Sequence, residues 1–134
     1  RGGGGRRVRD QEDRRAEAEA RTRYTTLVSQ SNTDIDAGNY DRAIATLSEA
    51  MRLNPNDEDL ASFKRGIAYG SKGNYDRAIS DLSEAVRLDP KSVLAFRNRG
   101  LAYDKKATTT GQLPISARLF DSIPSTLLPF IAAR

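Results

Sequence analysis

A run of 19 residues occurs twice in this chain, and few folds accommodate that. Gly73 to Lys91 (GNYDRAISDLSEAVRLDPK) repeats Gly38 to Asn56 (GNYDRAIATLSEAMRLNPN) without a gap, at 14 of 19 positions and with a period of 35 residues. Average composition would give about one such match by chance. A unit of this length cannot cover its own apolar face, so copies must stack on one another and the fold is an array of like units. Such a pattern states the architecture clearly and the ligand poorly.

The apolar residues of each copy keep helical time. Tyr40, Ala43, Ile44, Leu47, Ala50 and Met51 recur at steps of three and four, as do Tyr75, Ala78, Ile79, Leu82, Ala85 and Val86. Asp41, Arg42, Ser48, Glu49 and Arg52 fall on the opposite, solvent-facing side. Gly38 and Gly73 are placed to end the preceding helix, Asn39 and Asn74 to cap the next one, and Pro55 and Pro90 to stop it. The spacing predicts helices near 24–37, 40–53, 59–72, 75–88 and 93–106, with Ser92 capping the last. The fold class is therefore all-α, an antiparallel helix-pair solenoid.

These residues resemble the tetratricopeptide repeat, and especially its bacterial GNYDRAI…A…LDP form. Gly66 and Tyr69 stand in the glycine and tyrosine positions of a first helix. Ala78, Leu82, Ala85 and Pro90 fill the second helix, and Phe96, Gly100 and Tyr103 open a third unit. The first unit matches in Ala43, Leu47, Ala50 and Pro55, but carries Leu27, Ser31 and Asp34 in its aromatic, glycine and tyrosine places. The resemblance implies about two and a half units over residues 24–106 (24–57, 59–92 and a half unit 93–106), flanked by a charged Gly/Arg-rich segment 1–23 and a non-repeat tail 107–134. Against a family period of about 34 residues, one extra residue is expected in or just after the loop Asn56–Asp59. It puts Ser62 in the aromatic place with Phe63 beside it.

The third unit stops where a glycine-led helix should follow, and 107–111 reads AlaThrThrThrGly. From there only Arg118, Asp121 and Arg134 carry charge, in a chain that is 30% charged, and Pro114, Pro124 and Pro129 interrupt an otherwise apolar tail. Either this tail lays apolar residues on the fifth helix, or the reading frame shifts near codon 106. A GNYDRAI-like segment in another frame of the DNA would separate the two. Two and a half units fall short of the roughly three that a solenoid usually needs, so marginal stability is expected unless the tail or self-association through the incomplete third repeat covers the last helix.

Composition removes several function classes. With no histidine and no cysteine, the commonest general base and the thiolate metal sites are absent. The acids lie on solvent faces, and AsnAspGluAsp at 56–59 lacks the alternating ligands of a calcium loop. No glycine-rich phosphate loop and no membrane-length apolar run is present. No catalysis, cofactor or metal is expected. The first residue is Arg1 rather than methionine, so an incomplete N-terminus is expected, compatible with cytoplasmic or exported residence.

What remains is binding. The resemblance implies that the first helix of each pair lines a concave groove, here Val28 and Asn32, then Phe63, Lys64 and Ile67, then Arg97, Asn98 and Leu101. Mixed apolar and basic character suits an extended or helical peptide with acidic residues. A family subtype grips the acidic tails of heat-shock chaperones with a lysine–asparagine pair, an asparagine, and a lysine–arginine pair. The matching places hold Val28 and Asn32, Lys64, and Leu94 and Asn98, so only Asn32 agrees and that specificity is not expected. Two alternatives accompany a protein-interaction module: a nucleic-acid role for the arginine-rich 1–23, and the non-catalytic part of a larger enzyme. The net charge of +4 permits weak attraction to nucleic acid. Residues 1–23 interleave acids with the arginines and no aromatic for base stacking, so their glycines read as flexible linker and Val8 to Arg23 as a solvated helix.

Overall fold

The computed structural model describes residues 3–111. The tail 112–134, with the frame-shift reading attached to it, lies outside the described residues. Five helices follow one another: α1 (Gly3–Asp36), α2 (Tyr40–Leu53), α3 (Glu58–Lys72), α4 (Tyr75–Leu88) and α5 (Val93–Thr109), with one 3-10 turn at Pro55–Asp57. Each packs chiefly on its neighbours in sequence, and α1 with α3 and α3 with α5 touch more lightly along one side. That contact pattern is a stack of antiparallel helix pairs.

The turns between paired helices repeat atom for atom. Gly38 and Gly73 have φ of 79° and 91°, the left-handed conformation that ends a helix at little cost only for glycine. Asn39 N–H donates to Asp34 O at 2.7 Å and Asn74 N–H to Tyr69 O at 2.9 Å, closing the same terminal loop. The two asparagines then diverge. Asn74 Oδ1 accepts from Arg77 N–H at 3.3 Å, whereas the Asn39 side chain makes no cap bond. Ser92 caps α5 through Ala95 N–H, as expected.

The core is built mostly of alanine. Ala43, Ala50, Ala61, Ala68, Ala78, Ala85, Ala95 and Ala102 are buried, and Leu47 and Leu82 are the largest fully buried side chains among the described residues. Small residues on facing helices let the backbones approach closely, but each contributes little transfer energy. Two clusters result, one around Tyr24, Val28 and Leu47, the other around Ala78, Leu82 and Ala102 with Phe63 packed against it.

Two expectations change and one is narrowed. Gly3–Gly5 are not a linker, since α1 is one helix of 34 residues that includes them. Its packed half, from Tyr24 on, supplies the nucleus, and the Ala-, Glu- and Arg-rich stretch prolongs it through exposed turns. The extra residue of the second unit, expected in the loop Asn56–Asp59 or just after it, lies after the linker in α3: 54–57 and 89–92 are equally long, and α3 begins one residue further ahead of Gly66 than α5 does of Gly100. Finally, the acids do not all lie on solvent faces: Asp81 is buried, and the tyrosine place of the first unit holds buried Asp34, whose Oδ1 lies 3.4 Å from Arg42 Nε. One unit on, Arg77 lies over the Tyr69 ring, 5.5 Å from its centroid. An ion pair and a cation–π contact thus occupy one structural place.

Tyr24 joins the first pair to the second by donating its hydroxyl to Asp57 O. Burial pushes its hydroxyl above the ordinary value of about 10, a backbone contact at Ala61 opposes, and the acids Asp59, Asp57 and Glu58 push it further up. A phenol whose folded-state value is raised stabilises the fold below its unfolded value and loses that contribution as pH rises through the folded one. Stability is therefore expected to fall above about pH 10. Tyr24→Phe should lose about 1 kcal/mol at neutral pH and lack this alkaline component, as urea melts at two pH values would show.

Candidate functional site

The eight residues assigned to a groove do not all reach solvent. Val28 is buried in the first cluster and is not a groove residue in this structure. Its counterparts show why: Phe63 is half-buried and Arg97 exposed. The next first-position helix covers this register, α3 over α1 and α5 over α3, and α5 is the last described helix. Asn32, Arg97 and Leu101 are exposed, while Lys64, Ile67 and Asn98 are half-buried.

Three of the eight come together. Ile67 from α3, with Asn98 and Leu101 from α5, borders a cleft whose floor is Ala78 and Leu82 of α4. The floor follows from the sequence, because the small Gly66 and Gly70 of α3 let α4 come close. Asn98 is held by its own helix, Nδ2 donating to Leu94 O at 2.8 Å. Phe63 turns instead toward the core of this unit, and Asn32 lies on α1, outside the cleft lining. Ser71 and Lys105 also line the cleft and were missed, although each lies four residues beyond an assigned residue (Ile67, Leu101) and so on the same helix face.

The cleft is small, about 90 Å3. That suits one or two side chains of a polypeptide rather than a drug-sized ligand, which takes about 300 Å3 or more. Lys64, Arg97 and Lys105 form no ion pair among the described residues. Lys72 and Lys106, in contrast, are spent structurally. Lys72 bridges to Asp41 of α2, and Lys106 bridges to Asp76 of α4 at 2.7 Å, the same inter-unit link repeated. The described residues offer no cluster that could hold a metal ion, and no helix long and apolar enough to cross a membrane.

The family model for the tetratricopeptide repeat matches residues 25–57, and a TPR repeat model matches residues 66–106. Together they cover more than half of the chain and fall on the helix pairs just described. The chain is a tetratricopeptide-repeat protein. Among solved structures it is similar to the Sgt2 TPR domain from Aspergillus fumigatus, at 27% identity and a TM-score of 0.60. That match covers 66% of this chain and 58% of the other, so the chain spans less than two thirds of that domain. No curated protein matches the chain. A tetratricopeptide solenoid is a protein-interaction fold, and the all-α helix pairs of this chain belong to that class.

Proposed function

We propose that this tetratricopeptide-repeat protein is a non-catalytic module that receives a peptide with acidic residues along the α3–α5 side of the stack. The observation that carries the reading is the cleft bordered by Ile67, Asn98, Leu101 and Lys105. Lys64 lies one helical turn before Ile67 and Arg97 one turn before Leu101, and none of the three cations Lys64, Arg97 and Lys105 is in an ion pair among the described residues. An apolar side chain would enter over Ala78 and Leu82, and carboxylates on either side would meet the cations. Asn32 extends the same register onto α1. The odd-numbered helices touch one another along this side, as the inner wall of a curved stack does.

The test is affinity capture from the source lysate with the wild-type chain and with the double variant Lys64→Glu/Arg97→Glu. Both side chains lie outside the core, so the variant should keep its helical signal. Its capture of the partner is expected to weaken about 100-fold or more. Deleting residues 1–23 should change capture little. Capture that survives the double variant but vanishes with that deletion and with nuclease would move the function to nucleic acid.

A further inference from the structure

Successive units place Arg65 with Arg99, Gly66 with Gly100, and Tyr69 with Tyr103 in one register. In the second unit every place is occupied. A Cβ on Gly66 would sit 2.7 Å from Leu82 Cγ, and Arg65 holds Asp81 of α4 through Nε to Oδ2 at 2.7 Å and Nη2 to Oδ1 at 2.8 Å. On α5 the same places stand open among the described residues: none of these lies within 4 Å of a Cβ on Gly100, and Phe96 and Tyr103 are 45% and 49% exposed. Arg99 meets no carboxylate among the described residues and rests over the Phe96 ring, 5.2 Å from its centroid. By helical spacing this face points away from Leu101 and Lys105, so it is separate from the peptide cleft.

We propose that this face of α5 docks an amphipathic helix from a different polypeptide, bearing Asp or Glu immediately before Leu, with small residues four before and three after that Leu. The pattern is read from α4, where Ala78, Asp81, Leu82 and Ala85 fill the equivalent face of α3. The leucine lies over Gly100 and the carboxylate takes the guanidinium fork of Arg99, a planar donor pair matched to it. Two nearer occupants fit less well. A second copy presenting its own α5 would set Arg97, Arg99, Lys105 and Lys106 against the same four cations, with Asp104 the one acid on that helix. The segment 112–134 has Asp121 as its sole acid, followed by serine, and the place as far beyond Gly111 as Asp81 is beyond Gly73 falls on Leu119.

The probe is a fluorescent synthetic peptide of residues 73–90 of this chain, titrated with the full-length protein and read by anisotropy. The peptide is expected to bind. The peptide variant D81N and the protein variant Arg99→Gln should each weaken binding at least about tenfold, and both together no more than either alone. Gly100→Leu should abolish binding without loss of helical circular dichroism, because its side chain fills the open place. Affinity indifferent to Arg99→Gln or to Gly100→Leu would overturn the proposal, since the peptide would then be displacing α4 from its own unit. It also fails if the full chain does not bind the peptide. In that event sedimentation names the occupant: a dimer dissolved by Gly100→Leu indicates a second copy, and a monomer indicates residues 112–134.

Discussion

Replacing Asp81 with alanine is expected to lower the unfolding free energy by about 3 kcal/mol. Arg65 and Asp81 form a two-point ion pair with side-chain exposures of 22% and 11%, and the Arg65 Nη1 also donates to Ser48 Oγ at 3.0 Å. One guanidinium thereby ties α3 to α4 and to α2. The Asp81 carboxylate raises its pKa above the ordinary value against the opposing effect of burial, so the charge is held in place rather than merely tolerated. Removing the acid leaves that charge half-buried without a partner, which costs more than the pair itself contributes. Two comparisons separate these effects. Asp76→Ala breaks the Lys106 pair, whose side chains are 76% and 47% exposed and screened by water, and should cost far less than Asp81→Ala. Arg65→Met/Asp81→Leu removes both charges together and should recover most of the loss seen in Asp81→Ala. Urea melts of the three variants decide it: equal losses at Asp81 and Asp76 would mean that burial of the pair contributes nothing.

That pair shows where the sequence stops being legible. The helices α2 and α4 are readable because an apolar stripe at steps of three and four survives between a glycine and a proline. The α3–α4 ion pair is not, since its members lie 16 residues apart on two helices and no local spacing connects them. Its signal was in the register: Arg65 and Arg99 both precede the unit's glycine, and Asp81 precedes the buried Leu82. Val28 was misplaced for a related reason. Family position assigns it to a groove, but its burial depends on α3 lying over α1, a contact between helices that are not consecutive. The length of α1 was hidden because its exposed half has no apolar stripe to read, and three glycines argue against a helix that continues anyway. Within the cleft, helix faces were legible to the level of Ile67, Asn98 and Leu101. Ser71 and Lys105 required only one further helical step.

Two glycines in the same structural place should respond to the same substitution with opposite sign. Gly100→Ala is expected to stabilise the protein by about 1 kcal/mol, the ordinary gain of alanine over glycine inside a helix, because no described residue lies within 4 Å of the added methyl. Gly66→Ala gains the same propensity but drives its methyl to 2.7 Å from Leu82 Cγ and 3.3 Å from the Leu82 backbone nitrogen. Leu82 is 2% exposed, and because its backbone nitrogen also crowds the new methyl, turning the side chain toward the cleft does not clear the contact, so α3 and α4 must separate at this point. Overpacking of that kind costs about 3 kcal/mol, leaving a net loss of about 2 kcal/mol. The conflict is local, so it should vanish when Leu82 is shortened. Leu82→Ala alone costs about 3 kcal/mol through its cavity, and adding Gly66→Ala to it should cost nothing further, since the new methyl enters the space just vacated. Additive losses in that double variant would mean that Gly66 is needed for backbone conformation rather than for the approach of α4. A loss at Gly100→Ala would mean that its face is already covered.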